Sequence, residues 1–375
     1  MERCLGIINY SNIDKNFGVL CKPRSSYMLP FGGRYRIVDF ALSNMVNHNI
    51  RTVALYTGKK FRSAMDHIGN GKPWELNRRI NGLFIFPPQF DDEIGALEDI
   101  YQYHKTEDFF LRAKEDNIYI INPNIIGKYD LNTAFKYFKD SEADITLIYK
   151  NTPCTTGINI GCLNLNFDSK GNFKNIGLYL GTNREFNMFL ETGFIKKEVF
   201  LDLVRRTMET GEDLDLRQAI LRFKNLYKIN VCEYKGHVEN IRNLKSYYDA
   251  NMRLLDDEIF NKLFFEGGPI YTKSKDEPPT LYGNMSKVDN SLIANGCIIE
   301  GKVENSIIFR GVKIAKHAVV KNSIIMQKSE IGEDSVLVDT ILDKEVIIKE
   351  GVNLIGSKSS PYVVEKHAIE VREWN

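Results

Sequence analysis

Net charge is the first thing this chain lacks: its 375 residues carry 50 Lys and Arg against 49 Asp and Glu. That balance leaves no field to steer a nucleic acid or an anionic membrane, so neither is expected as a partner. No run approaches the roughly 18 uncharged apolar residues of a membrane-spanning helix. The N-terminal Met1-Glu2-Arg3-Cys4-Leu5-Gly6-Ile7-Ile8-Asn9 has no signal-peptide pattern and reads as a first buried strand. The cysteines (Cys4, Cys21, Cys154, Cys162, Cys232 and Cys297) include no C-x-x-C pair. Reduced core thiols are therefore expected rather than disulfides or a zinc site, and with them a cytoplasmic setting. The histidines (His48, His67, His104, His237, His317 and His367) show no metal-ligand spacing.

What is present falls into two patterns. Up to about residue 250, β-rich runs (52–57, 117–121, 144–149) alternate with helical spacing over 101–113 and 131–141, which predicts a mainly parallel sheet covered by helices. Over 163–178, Asp168-Ser169-Lys170-Gly171-Asn172 separates two extended runs and predicts a hairpin or an edge-strand excursion. An amphipathic helix over 246–264 closes this part. Residues 266–283, rich in Pro, Gly and charge, read as a linker. Beyond it aliphatics recur every six residues, as in Ile308, Ile314, Val320 and Met326. Asn305-Ser306-Ile307-Ile308, Asn322-Ser323-Ile324-Ile325 and Asp339-Thr340-Ile341-Leu342 recur at residue numbers 305, 322 and 339. A hexad period inside a longer coil repeat is the pattern of a β-helix, in which each coil buries its aliphatics against its neighbours. The expected domains are 1–265, a linker 266–283, and a β-helix 284–375.

Residues 30–50, opening Pro30-Phe31-Gly32-Gly33-Arg34-Tyr35-Arg36-Ile37-Val38-Asp39-Phe40, closely resemble the P-F-G-G signature of ADP-glucose pyrophosphorylases. The hexad region resembles the left-handed β-helix that ends those enzymes. The resemblance spans the chain and implies an α/β fold: a Rossmann-like nucleotidyltransferase sheet, then a left-handed β-helix. Gly71-Lys72-Pro73-Trp74-Glu75-Leu76-Asn77 and the segment 269–280 look like one branch of the family, the D-type glycogen-biosynthesis subunit.

The resemblance also says what chemistry to look for. Nucleotidyl transfer needs a glycine loop for the triphosphate, because only glycine lets backbone N–H groups come close to phosphates. It also needs carboxylates for Mg²⁺. The family's L-A-G-G loop aligns here with Leu5-Gly6-Ile7-Ile8, and the lysine of its R-A-K-P becomes Ser26. The two metal aspartates become Asn124 and Asn240, with Asp130 and Glu239 as the neighbouring carboxylates that stand closest to replacing them. The Mg²⁺ site is expected to be lost, no cofactor is expected, and no catalytic position is intact. Gln89, in Phe86-Pro87-Pro88-Gln89, and Gly95, in Gly95-Ala96-Leu97-Glu98-Asp99-Ile100, resemble base-side segments. They read equally as the remnant of a nucleotide groove and as sheet packing. Arg24, Arg34 and Arg36, with Lys59, Lys60 and Arg62, form a basic set. Arg34 stands where a family lysine contacts an anionic activator, so the set reads as a solvated surface or as a site for a nucleotide or sugar-phosphate effector.

The expected function is a non-catalytic or weakly active regulatory subunit. It would accompany a catalytic ADP-glucose pyrophosphorylase subunit, which makes ADP-glucose from ATP and glucose 1-phosphate, in a heterotetramer. A free-standing adenylyltransferase with an altered metal site and a solitary sugar-nucleotide sensor are the alternatives.

Overall fold

The structure, a computed structural model, describes residues 4–89, 98–153, 157, 159–182, 184–211 and 215–370. The chain divides into two compact units. One is Met1–Asn12, Phe40–Val238 and Gly267–Tyr271; the other is Ile13–Asp39, Glu239–Glu266 and Thr272–Asn375.

The first unit is built on a nine-stranded sheet. Its strands are β1 (Cys4–Ile8), β2 (Thr52–Tyr56), β3 (Gly82–Phe86), β4 (Asn117–Ile121), β5 (Ile145–Pro153), β6 (Leu163–Phe167), β7 (Phe173–Leu178), β8 (Glu185–Lys196) and β9 (Ile229–Glu233). The order along the sheet is β7-β6-β8-β4-β1-β2-β3, with β5 pairing β8 and β9. Strands β4, β1, β2 and β3 are parallel; β8 runs against β4 and β5. Every residue of β1 and β2 is buried, as parallel strands covered on both faces require. Gly6 permits that cover: a Cβ there would lie 2.5 Å from Met45 Sδ. The hairpin over 163–178 is β6 and β7, its turn tied by Asp168, which accepts from the N–H groups of Lys170 and Asn172.

Helical spacing over 101–113 forms two helices rather than one, α1 (Asp99–Lys105) and α2 (Glu107–Arg112). They part at Thr106, whose hydroxyl bonds the Gln102 carbonyl and the Tyr56 hydroxyl. The other helices of this unit used below are α3 (Leu131–Asp140), α4 (Lys197–Thr210) and α5 (Leu216–Arg222). Phe110, Phe200 and Tyr103 lock α1, α2 and α4 over the sheet as a ring cluster, an arrangement that adds about 0.5–1.5 kcal/mol per pair beyond burial.

In the second unit the span 246–264 also divides, into α6 (Leu244–Arg253) and α7 (Asp257–Phe264). Asp256 ends the continuity because its carboxylate caps α7, accepting from the N–H groups of Glu258 and Ile259, a better use of Asp than a helix interior. Asn243 and Ser246 form a capping box on α6. From Leu281 onward short strands stack into three parallel sheets of six, five and five strands, the walls of a left-handed β-helix. Its first strand, Leu281–Tyr282, falls inside the stretch read as linker. Inside, aliphatics stack coil on coil: Ile299, Ile314, Ile331 and Ile348 on one wall, Val303, Val320, Leu337 and Leu354 on the next, Ile308, Ile325, Leu342 and Val364 on the third. Asn290, Asn305, Asn322 and Asp339 turn one corner with φ between 38 and 49°, and Asn and Asp tolerate that region better than other side chains. Among the described residues no helix is long and apolar enough to cross a membrane.

Candidate functional site

In a doubly wound sheet ligands bind beyond the carboxyl ends of the parallel strands, so the loop after β1 comes first. Ile7 and Ile8 lie within β1, fully buried and paired with β2 and β4. The chain leaves the strand at Asn9, so Ile7 and Ile8, aligned with the family glycines, are strand residues. The loop that does follow the strand, Asn9-Tyr10-Ser11-Asn12, still contains no glycine. Its polar groups are bonded within the protein. The Asn9 N–H donates to the Ile121 carbonyl (3.0 Å), the Tyr10 N–H to Asn9 Oδ1 (3.0 Å), and the Ser11 hydroxyl to Asn122 Oδ1 (2.8 Å). The Tyr10 ring lies on Gly58, where an added Cβ would fall 2.5 Å from its Cζ.

Around this loop sits a cluster of ionisable groups that sequence reading missed. Asp99, at the start of α1, accepts from Asn9 Nδ2 (2.9 Å) and from the Leu216 N–H (2.9 Å). Arg217, in the first turn of α5, pairs with Asp215, the residue that caps that helix, and reaches Glu191 at 3.4 Å. Burial pushes the Asp99 carboxyl up to about 7, and the Asp215 charge adds to the shift. Burial also raises Glu191, against the pull of Arg217. Asp215 stays below the usual carboxylate range: its burial is outweighed by the Arg217 hydrogen bond and charge. The adjoining Glu98-Asp99 carboxylates and Glu191, a non-glycine residue at φ 47° within a strand, were the sequence and backbone signals available.

Asn124 is buried beyond β4, its N–H donating to Asn122 Oδ1 (2.9 Å). Asp130, the first neighbouring carboxylate, caps α3 by accepting from the Thr133 N–H (3.2 Å) and hydroxyl (2.6 Å). Gln89 keeps an exposed side chain while its backbone is clamped by Gln102, whose amide both donates to and accepts from it at 3.0 Å. Gly95 lies outside the described residues.

The second unit carries Ser26 and Asn240. Ser26 is wholly buried and its N–H donates to Asp14 (2.8 Å). Asn240 is half-buried, and its neighbour Glu239, 1% exposed, is gripped by Arg253, whose Nε lies 2.8 Å from Oε1 and whose second nitrogen bonds Oε2. Such a two-point guanidinium–carboxylate pair is strong and directional.

The basic set divides. Lys59, Lys60 and Arg62 belong to the first unit. In the second, Arg34 is exposed and Arg36 half-buried, donating to the Met28 carbonyl at 3.1 Å. Arg24 is not on a solvated surface: it is 3% exposed and donates to Asp343 (2.9 Å), itself fully buried in the β-helix. Beside that pair stands Lys344, its ammonium depressed to about 6 by burial, then by Arg36 and Arg24. Burial, opposed by Glu277 and aided by Arg34, also lowers Arg310. The β-helix thus supplies cations to a neighbourhood that the N-terminal motif alone did not reveal.

Two family models match this chain: Nucleotidyl transferase over residues 20–172, and GlmU-like, C-terminal hexapeptide over residues 280–361. The chain is 34% identical to the glycogen biosynthesis protein GlgD of Bacillus subtilis (strain 168), covering 98% of this chain and 97% of that protein. The chain belongs to the GlgD family. The GlgD of Geobacillus stearothermophilus is 36% identical over 98% of both chains. A glucose-1-phosphate adenylyltransferase of Bacillus thuringiensis (strain Al Hakam) is 28% identical over 97% of both. This GlgD-family chain is thus collinear with an enzyme of that name, while the positions described above carry amides, a serine and a self-bonded loop.

Proposed function

We propose that this chain is a non-catalytic regulatory subunit in glycogen biosynthesis, joining a catalytic glucose-1-phosphate adenylyltransferase in a heterotetramer and altering its rate or its response to effectors. The observation that carries the reading is the commitment of both carboxylates beside the amide positions: Asp130 caps a helix and Glu239 is held by Arg253. Asn124 and Asn240 supply oxygen without charge, whereas Mg²⁺ in phosphoryl chemistry is held by one or two carboxylates besides the phosphates. The residues present do not fit that ion. The loop after β1 adds to this. Its N–H groups at Asn9 and Tyr10 are already spent, and the carboxylates of Asp99, Asp215 and Glu191 around it would repel a triphosphate. These facts weigh against the free-standing enzyme.

The cations around Lys344 favour an anionic effector, a sugar phosphate or nucleotide, over a solitary neutral ligand. A deprotonated Lys344 regains its proton when an anion arrives, so binding should take up protons near pH 7. Apolar side chains on the first and last coils of the β-helix, Leu281, Met285, Ile355 and Ile369, supply surface that a partner subunit would cover.

The test is to assay the purified chain alone, then mixed with a catalytic homologue over a range of ratios, with light scattering on the mixture. Alone it should make no ADP-glucose, and the mixture should co-elute with altered maximal rate or effector response. Asn124→Asp with Asn240→Asp should not restore activity, because the loop still cannot position the triphosphate. Turnover near or above about 1 per second by the chain alone overturns the reading, and so does a chain that neither co-elutes nor alters the kinetics.

A further inference from the structure

The β-helix carries one irregularity in its coil spacing. On one wall Ile307 faces Ile324 and Ile324 faces Ile341, each pair 17 residues apart, whereas Ile341 faces Val363, 22 residues on. The five extra residues form a small turn, closed by paired hydrogen bonds between Ser357 and Ser360 (3.1 and 3.0 Å). They leave the helix just after the corner ladder of Asn290, Asn305, Asn322 and Asp339, and they bring Lys358 to a cavity of about 510 Å³. One side of the cavity is the asparagine ladder; the other is α6 and the turn after it, with Lys245, Tyr248, Asp249, Met252, Leu255 and Asp256. The volume falls within the ordinary range for a small-molecule site.

The chemistry of the lining is specific. Tyr248 is pinned with its hydroxyl on the Asn322 carbonyl (2.6 Å) and Asp339 (3.1 Å) and is buried, so it braces the cavity from below, and the apolar surface open to a ligand is that of the half-buried Met252 and Leu255. Lys245 is neutralised by Asp249 four residues on, and Asp256 is spent on the α7 cap. Two cations and two anions leave the cavity without net charge. Asn290 Nδ2 donates to Asn305 Oδ1 (2.7 Å), while the Asn322 amide and the Lys358 ammonium have no hydrogen-bond or ion-pair partner among the described residues. Amides offering both donors and acceptors, beside an aliphatic wall and without net charge, match a ligand that is apolar on one face and hydroxylated at its edges.

We infer that this groove binds a neutral sugar, a short oligosaccharide rather than a phosphorylated monosaccharide. The Asn322 amide and Lys358 bond its hydroxyls, and Met252 and Leu255 pack against the apolar face of the ring. The inference rests on the cavity alone and stands whether or not the chain is catalytic.

The test is calorimetric titration of the full chain with maltotriose, and separately with glucose 1-phosphate. Asn322→Gly removes the amide at a φ of 48°, where glycine is at ease, without breaking an internal side-chain bond; Lys358→Ala changes only the exposed insertion. Saturable maltotriose binding with Kd near or below about 1 mM is expected. Each variant should weaken it by roughly threefold to tenfold, the worth of one hydrogen bond, with thermal melting unchanged. Absence of saturable maltotriose binding overturns the proposal. Undiminished affinity in both variants, or glucose 1-phosphate binding that is tighter than maltotriose and lost in Lys358→Ala, overturns it equally.

Discussion

The carboxyl edge of the sheet and the β-helix treat buried carboxylates in opposite ways. At the sheet edge Asp99, Asp215 and Glu191 share Arg217, the Asn9 amide and the Leu216 N–H, so each charge has several neighbours and none depends on one. In the β-helix Asp343, among the described residues, has one ion-pair partner, Arg24, and one backbone donor, the Lys344 N–H at 2.7 Å, while its Oδ2 meets no hydrogen-bond partner there. A distributed network absorbs the loss of a member; a single buried pair does not. The sheet edge spreads its ionic cost over several of the protein's own charges, and the β-helix concentrates its ionic cost at one point.

The largest effect should follow from breaking that point. Arg24→Met leaves Asp343 buried without its counter-ion and should cost about 3–5 kcal/mol, read by urea unfolding followed through hydrogen exchange in residues 297–354. Adding Asp343→Leu should recover most of the loss, since two apolar groups can replace a buried pair at little cost. A single variant as stable as the parent would show that the buried pair does not hold the β-helix together.

Next in size is truncation of the aliphatic stack. Ile325, fully buried on the wall shared with Ile308 and Leu342, should cost about 2–5 kcal/mol as alanine. The same assay should show protection lost first in the coils on either side, since each coil rests only on its neighbours. Uniform loss across the β-helix would mean that the coils unfold as one unit.

These two regions were also unequally legible. Period six in Ile308, Ile314 and Val320 survives any local alignment error, because the pattern repeats and each coil confirms the last; the asparagine corners were visible for the same reason. The loop after β1 had no repeat to check it. The alignment of the family glycines with Ile7-Ile8 rested on a single pass of sequence, and only the pairing of β1 with β2 and β4 showed that both are buried strand residues and that the chain leaves the sheet at Asn9. Asn124, Asn240 and Ser26 were readable as single substitutions. Their consequences were not, because Arg253 on Glu239 and the Asp130 cap are contacts made by folding. The two helix breaks, at Thr106 and Asp256, lay in side-chain hydrogen bonds that apolar spacing does not register. Asp99, Arg217, Asp343 and Lys344 carried no motif; distant segments assemble them.

A smaller effect should come from the Asp256 cap. Asp256→Ala removes the acceptor for two N–H groups of α7 and should cost about 1 kcal/mol, with exchange rising in residues 257–264. Because Asp256 also lines the asparagine-corner cavity, sugar affinity measured on the same variant separates fraying of α7 from loss of a wall.

The sharpest test of the comparison is in pH. Asp99 has a folded pKa of about 7, raised by burial and Asp215, against an unfolded value near 3.9. The folded state therefore holds the proton more tightly. Whatever stability the protonated carboxyl contributes is complete below about pH 4, declines as pH rises, and is gone above about 7. Asp99→Asn should flatten the stability profile across pH 4–7 by up to one proton while changing the value at pH 5 little, since Asn9 and Leu216 retain an oxygen to bond. Lys344 works on the other side. Its folded pKa of about 6 lies below the unfolded 10.4, so it destabilises the fold increasingly as pH falls from about 10 to 6, and Lys344→Met should relieve that penalty at pH 7 but not at pH 10. Exchange measured separately in residues 117–121 and 313–348 should assign the first slope to the sheet and the second to the β-helix. Finding either slope in the other segment would mean that the two regions unfold together and that the contrast between shared and single ion pairs does not govern their stability.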